Sequence, residues 1–116
     1  MQERLDAVRG YLAAVEREGF YFDPARCTAD PVDLEALFGE KPVELEIGCG
    51  KGKFTVETAA LEPDVLFVAV ERVQEALVLA MEKALSMGLK NVYFLSIDAA
   101  KLEEYFAPGE VDLIYL

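Results

Sequence analysis

The sequence predicts an α/β protein built on a doubly wound parallel sheet. Three observations carry this. After Pro42, four short apolar runs alternate with helical patterns. The second run, Leu-Phe-Val-Ala-Val at Leu66–Val70, is apolar throughout, as a strand covered on both faces must be. The segments between the runs are long enough for right-handed helical crossovers. A length of 116 residues suits one domain, and an apolar fraction of 53% supports a core rather than disorder.

Taken in order, Leu5, Val8, Leu12 and Val15 recur at helical spacing and predict an amphipathic first helix packed through that face, stopped at Gly19. An aromatic cluster, Phe20-Tyr21-Phe22, precedes Asp23-Pro24. Asp30-Pro31 predicts the start of a short helix through Leu37 and Phe38, closed by Gly39. Residues 1–42 thus read as a helical extension and residues 43–116 as an α/β half-domain. In the latter, Val43–Ile47 reads as a strand and Lys53–Leu61 as a helix ending before Pro63. Leu66–Val70 is the second strand. Val73, Ala76, Leu77, Ala80, Met81, Ala84 and Leu85 form a helical stripe ended by Gly88. Residues 92–97 read as the third strand, 99–106 as a short helix stopped by Pro108-Gly109, and 111–116 as the fourth strand. The expected sheet therefore has about four strands. A mostly apolar last strand with no helix to cover it predicts a fragment of a longer protein. Its unpaired edge is a surface for self-association.

Eleven basic against twenty-two acidic residues give a formal charge of −11, spread over both parts of the chain. That excludes a self-sufficient basic nucleic-acid module, whose affinity comes largely from phosphate neutralisation. The absence of histidine excludes Ser/His/Asp triads, Cys/His dyads and HExxH zinc sites, and no metal is expected. Two cysteines are too few for a disulfide framework, which favours a reducing compartment. The charged start shows no signal peptide, and no apolar stretch approaches the ~20 residues that span a bilayer. A cytoplasmic protein without membrane contact is expected.

Chemistry concentrates in Glu44-Leu45-Glu46-Ile47-Gly48-Cys49-Gly50-Lys51-Gly52-Lys53-Phe54, a strand running through a glycine-rich turn into a helix. Gly48, Gly50 and Gly52 are spaced Gly-x-Gly-x-Gly. A dinucleotide fingerprint needs a glycine where Lys53 stands, and a P-loop needs Gly-Lys-Ser/Thr. The alternative is a tight turn that binds nothing. Glu71, 23 residues after Gly48, ends the second strand where an acid accepts both ribose hydroxyls of an adenosine; otherwise it is a solvated surface acid. Asp98 ends the third strand, placed for the exocyclic amine of adenine or for capping the helix that starts at Ala99. Glu46 lies within the first strand, where a carboxylate needs a partner: the ammonium group of a bound ligand, or Lys51 or Lys53. Cys49, near a helix N-terminus, reads as an inert buried thiol rather than a reactive one. Together these residues select S-adenosyl-L-methionine over NAD. It has no pyrophosphate to need the third dinucleotide glycine, and its sulfonium and ammonium charges suit acidic surroundings.

Residues 44–54, Phe67-Val68-Ala69-Val70-Glu71, Gly88-Leu89-Lys90-Asn91-Val92 and the run 106–116 resemble bacterial tRNA (guanine-N7)-methyltransferases, over about residues 31–116. The resemblance implies a Rossmann-like class I methyltransferase fold, of which this chain supplies the cofactor-binding half. It places Glu46, Glu71 and Asp98 at the family's acidic cofactor positions. Arg72 and Ala99, each following one of these acids, complete the candidate set with the three glycines. In that family an Asn-Phe-x-Asp-Pro-Trp-Pro motif and a basic cluster follow the Ile-Tyr-Leu strand. Acceptor and tRNA-gripping residues are thus expected beyond Leu116, and no catalytic residue is assigned within the chain. The 116 residues alone are expected not to methylate tRNA. Two rivals remain open: a class I methyltransferase with a small-molecule or protein acceptor, and a non-catalytic nucleotide-binding or interaction module.

Overall fold

The computed structural model describes residues 2–34, 36, 39 and 41–116. Its elements are α1 (Gln2–Glu16), β1 (Tyr21–Phe22), β2 (Val43–Ile47), α2 (Lys53–Leu61), β3 (Leu66–Val70), α3 (Gln74–Ser86), β4 (Val92–Leu95), a 3-10 helix (Ala99–Glu104) and β5 (Leu113–Tyr115). The helix expected to run to Leu37 and Phe38 lies in part outside the described residues.

The sheet has five strands in the order β1-β4-β3-β2-β5. β2, β3, β4 and β5 are parallel, as predicted from their crossovers. The fifth strand corrects the expected count of about four. Tyr21 and Phe22 pair antiparallel with Leu95 and Phe94 and close the free edge of β4. Two residues are too few to show strand periodicity, so only burial reveals them: Phe22 enters the core on one face and Tyr21 on the other.

Strand alternation divides the core in two. Phe67, Ala69, Val92 and Phe94 face α2 and α3 and pack on Val56, Ala59, Leu77, Ala80, Met81 and Ala84. Val43, Leu45, Leu66, Val68, Val70 and Leu95 face the other way, covered by Leu102, Tyr105, Phe106 and Val111. That second face is thus covered by the 3-10 helix and its flanking loops.

α1 packs through a different face from the one predicted. Leu5, Val8 and Leu12 stay about half exposed, while Ala7, Gly10, Tyr11 and Ala14 are buried. The reason is close approach. A Cβ on Gly10 would stand 2.5 Å from the Cys27 carbonyl oxygen and 2.9 Å from the Phe22 ring. Only the small-residue stripe lets the helix come that near. No helix among the described residues is long and apolar enough to cross a membrane.

Candidate functional site

The parallel strands step β2, β3, β4 in one direction, and β5 then returns to the opposite side of β2. Ligands of such sheets lie beyond the carboxyl ends of the strands near this reversal. Residues 48–52 leave β2 there as a tight loop. Gly48 N–H and Cys49 N–H both donate to the Val70 carbonyl, at 2.8 and 3.1 Å. Gly52, with φ of 80°, caps α2. A Cβ on Gly52 would stand 2.6 Å from the Ala80 Cβ, so this glycine serves helix packing. Gly48 and Gly50 also have positive φ, 73° and 56°, but nothing stands within 4 Å of where their Cβ atoms would be. Those two leave open space above the backbone, as a ligand-facing loop requires.

Glu71 is buried and ties this loop to the start of α3. One carboxylate oxygen accepts from Gly50 N–H at 2.8 Å and the other from Val73 N–H at 2.9 Å. A carboxylate offers about four lone-pair sites. Glu71 therefore retains an acceptor site on each oxygen for a pair of hydroxyls. It is a bonded element of the loop, not a solvated surface acid.

Gly48, Glu71, Arg72, Asp98 and Ala99 line one cleft of about 220 Å³, with Ile47, Val70 and Ile97 as its apolar wall. Five of the eight residues expected from the sequence meet there. Asp98 caps the 3-10 helix by accepting from Ala100 N–H at 3.0 Å, and its other oxygen lies 3.8 Å from an Arg72 guanidinium nitrogen. Both side chains are largely exposed. Gly50 and Gly52 stand in the same loop but do not line the cleft.

Glu46 lies apart from the cleft lining. Its partner is neither Lys51 nor Lys53 but the hydroxyl of Thr55, which donates to its carboxylate from the first turn of α2. Burial raises the Glu46 carboxyl above the ordinary carboxylate range, and the Thr55 bond opposes that rise. Thr55 is itself buried. The sequence carries no signal for it, because a threonine in an amphipathic helix reads as an ordinary core position. Cys49 is buried, and its thiol is pushed up to about 12 by burial first and then by Glu71 and Glu46. It is an inert thiol.

A larger cavity, about 770 Å³, opens between α1, residues 25–27 and α3. None of the residues expected from the sequence lines it. The smaller cleft is the better candidate because it lies at the carboxyl ends of three strands and holds Glu71 and Asp98.

Comparison with known proteins follows the same geometry. A tRNA (guanine-N(7)-)-methyltransferase of Geobacillus kaustophilus is 48% identical over 81 residues, which are 69% of this chain and 37% of that protein. One from Lactococcus lactis subsp. cremoris is 38% identical over 92 residues, covering 75% of this chain and 42% of that protein. The chain thus spans about two fifths of the length of these curated relatives. Among solved structures, a 30S ribosomal A1408 methyltransferase from an uncultured bacterium superposes with a TM-score of 0.60 at 24% identity, over 77% of this chain and 46% of that one, which shows a shared fold. A family model described as putative methyltransferase matches residues 40–116. Since that stretch holds the glycine loop and every acid of the cleft, the match has a physical counterpart in the sheet edge, and the chain belongs to the putative methyltransferase family.

Proposed function

We propose that this chain binds S-adenosyl-L-methionine across the carboxyl edge of β2, β3 and β4, and serves methyl transfer to N7 of a guanine in tRNA. The observation that carries the cofactor reading is the Glu71 bridge to Gly50 N–H, which holds the loop open beside the cleft while leaving carboxylate lone pairs free. The acceptor reading rests on relatives that carry the name tRNA (guanine-N(7)-)-methyltransferase.

The residues present fit the cofactor. Space is open above Gly48 and Gly50 for a backbone-hugging ligand. Glu71 takes the ribose hydroxyls, and Asp98 takes the base amine while capping its helix. Glu46, two residues before Gly48 in the chain, would supply a carboxylate for the ammonium group. When bound, S-adenosyl-L-methionine supplies an electrophilic methyl on a sulfonium.

The transfer asks little of the protein by way of proton chemistry. N7 of guanine carries a lone pair and no proton. A bound donor would supply its methyl to that lone pair and would keep the former S–CH₃ electron pair on sulfur. The products are a neutral thioether and a cationic 7-methylguanine. No general base is needed, in keeping with a chain that lacks histidine. What this chain contributes is fixed placement of the donor, and placement is worth ~7–11 kcal/mol in favourable cases. The acids Glu46, Glu71 and Asp98 make the surroundings favourable to cationic species. The outer edge of β5, where Leu113 and Ile114 are about half exposed, is read as a pairing edge for a second copy of the chain.

Titration calorimetry with S-adenosylhomocysteine tests the cofactor reading. The parent is expected to bind, and Asp98→Asn to bind about tenfold more weakly, since one charge-assisted bond is worth ~1.5 kcal/mol. No heat from a folded parent overturns the reading.

A further inference from the structure

The larger cavity, of about 770 Å³, shares no wall residue with the cleft. Its volume falls within the ~300–1,000 Å³ of small-molecule pockets. α1, the loop at residues 25–27 and α3 build it, and the first two precede the segment that matches the family. Val8 and Leu85 give it an apolar wall. Tyr11 brings a polar group to it. This residue is 8% exposed, with its ring against Phe22 at 5.4 Å between centroids. Its hydroxyl has no hydrogen-bond partner among the described residues, whereas polar groups so deeply buried ordinarily have one. Burial first, and then Glu82 and Cys27, push the phenol up to about 12. Both of those residues line the cavity. The phenol is therefore neutral at pH 7 and offers its oxygen as an acceptor.

The charges of the wall set the chemistry of an occupant. Glu3, Asp6 and Glu82 stand at its exposed rim, and none of them has a cationic partner within 4 Å among the described residues. Asp6 accepts only from the neutral side-chain amide of Gln2, at 2.9 Å. Two guanidinium groups oppose these acids. That of Arg26 is already held by Asp23 at 2.7 Å, which leaves Arg4 alone against three carboxylates. The surplus is felt at Cys27, whose thiol is raised by burial first and then by Asp6, Asp23 and Glu3. An anion would face those carboxylates, and a purely apolar occupant would leave the Tyr11 hydroxyl unpaired. A cationic donor on an apolar body satisfies both. We propose that the cavity between α1 and α3 is a second ligand site, which takes a small organic ammonium ion. Its N–H groups donate to the Tyr11 hydroxyl and the Glu82 carboxylate, and its apolar body lies on Val8 and Leu85. The site does not depend on the cofactor reading.

Titrations of the full 116-residue chain, followed by backbone amide NMR, test this with three probes. They are 2-phenylethylammonium, 2-phenylethanol and phenylacetate, which share an apolar body and differ in charge. The ammonium ion is expected to give saturable shifts at residues 4–11, 25–27 and 82–85, and to bind about tenfold more tightly than the alcohol. Phenylacetate is expected to give no shifts there. Tyr11→Phe keeps the ring against Phe22 and is expected to weaken the ammonium ion about tenfold. Glu82→Gln, at an exposed position, is expected to weaken it about threefold. A folded parent that does not respond to the ammonium ion overturns the proposal, as does one that binds the alcohol equally well. Parental affinity in a folded Tyr11→Phe chain overturns it too.

Discussion

At Glu46 a single hydroxyl opposes the cost of burying a carboxylate. The folded chain holds the Glu46 proton more tightly than the unfolded chain, because burial raises this carboxyl. Its protonated form therefore contributes stability that is fully present below the ordinary carboxylate range. That contribution is lost as pH rises through the raised value. Thr55→Val removes the bond that favours the charged form and pushes the carboxyl higher still. In urea unfolding, Thr55→Val is expected to cost about 1.5 kcal/mol at pH 8, the low end for a bond to a charge that is only partly buried, and clearly less at pH 4. Thr55→Ser should restore most of it. A cost independent of pH would show that the hydroxyl does not serve the carboxylate. Glu71 makes a second case at this scale. Glu71→Ala strands the Gly50 and Val73 amides and is expected to lower stability by about 2–3 kcal/mol. Glu71→Gln, which keeps one acceptor oxygen, should fall between it and the parent. Equal urea midpoints for all three chains would show that the loop does not depend on this bridge.

Two motifs that stand out in the sequence act at the scale of elements. Gly52 lets α2 approach α3, where a Cβ would meet Ala80. Gly52→Ala combines that clash with a left-handed backbone and is expected to cost about 3 kcal/mol. Adding Ala80→Gly relieves the clash but not the backbone strain, so the double variant should recover part of the loss despite a second glycine in a helix. Chemical denaturation of the four chains gives the coupling, and simple additivity would refute the contact. The Gly88-Leu89-Lys90-Asn91 turn has a structural explanation. The Asn91 side-chain amide nitrogen, buried, lies 3.0 Å from each of the carbonyls of Ala59, Glu62 and Val65, which share its two N–H donors, and closes the C-terminal end of α2. Asn91→Ala is expected to destabilise by about 2–3 kcal/mol through unpaired carbonyls, measured as a lowered urea midpoint without a change in fold by circular dichroism. In the same way Asp112 accepts from Val43 N–H at 2.8 Å and sets the register of β5 on β2.

For the whole molecule, the open flank is the outer edge of β5. It pairs only with β2 among the described strands, and Leu113 and Ile114 are about half exposed. Light scattering over a dilution series is expected to show reversible association of the 116-residue chain, weakened by Ile114→Lys, since a charge on an edge strand discourages pairing. A monomer at every concentration would refute it.

The sequence by itself determined the parallel part of the sheet and most of the cleft. β2, α2 and α3 are legible from their length and patterning and β3 from its unbroken apolar run, and glycines and acids at strand ends mark where the backbone must turn. Tertiary structure decided what no local period encodes. α1 turned its small-residue stripe inward rather than its leucine face, because Cys27 and Phe22 approach Gly10 too closely for any larger side chain. Tyr21 and Phe22 became a strand only because β4 had a free edge to pair with. Glu46 found Thr55, nine residues on, in place of a lysine. The end of α1 and the turn after it met Gln74, Ser96 and Lys101, which lie far along the chain. Each of these depends on contacts between segments whose juxtaposition exists only once the sheet has formed.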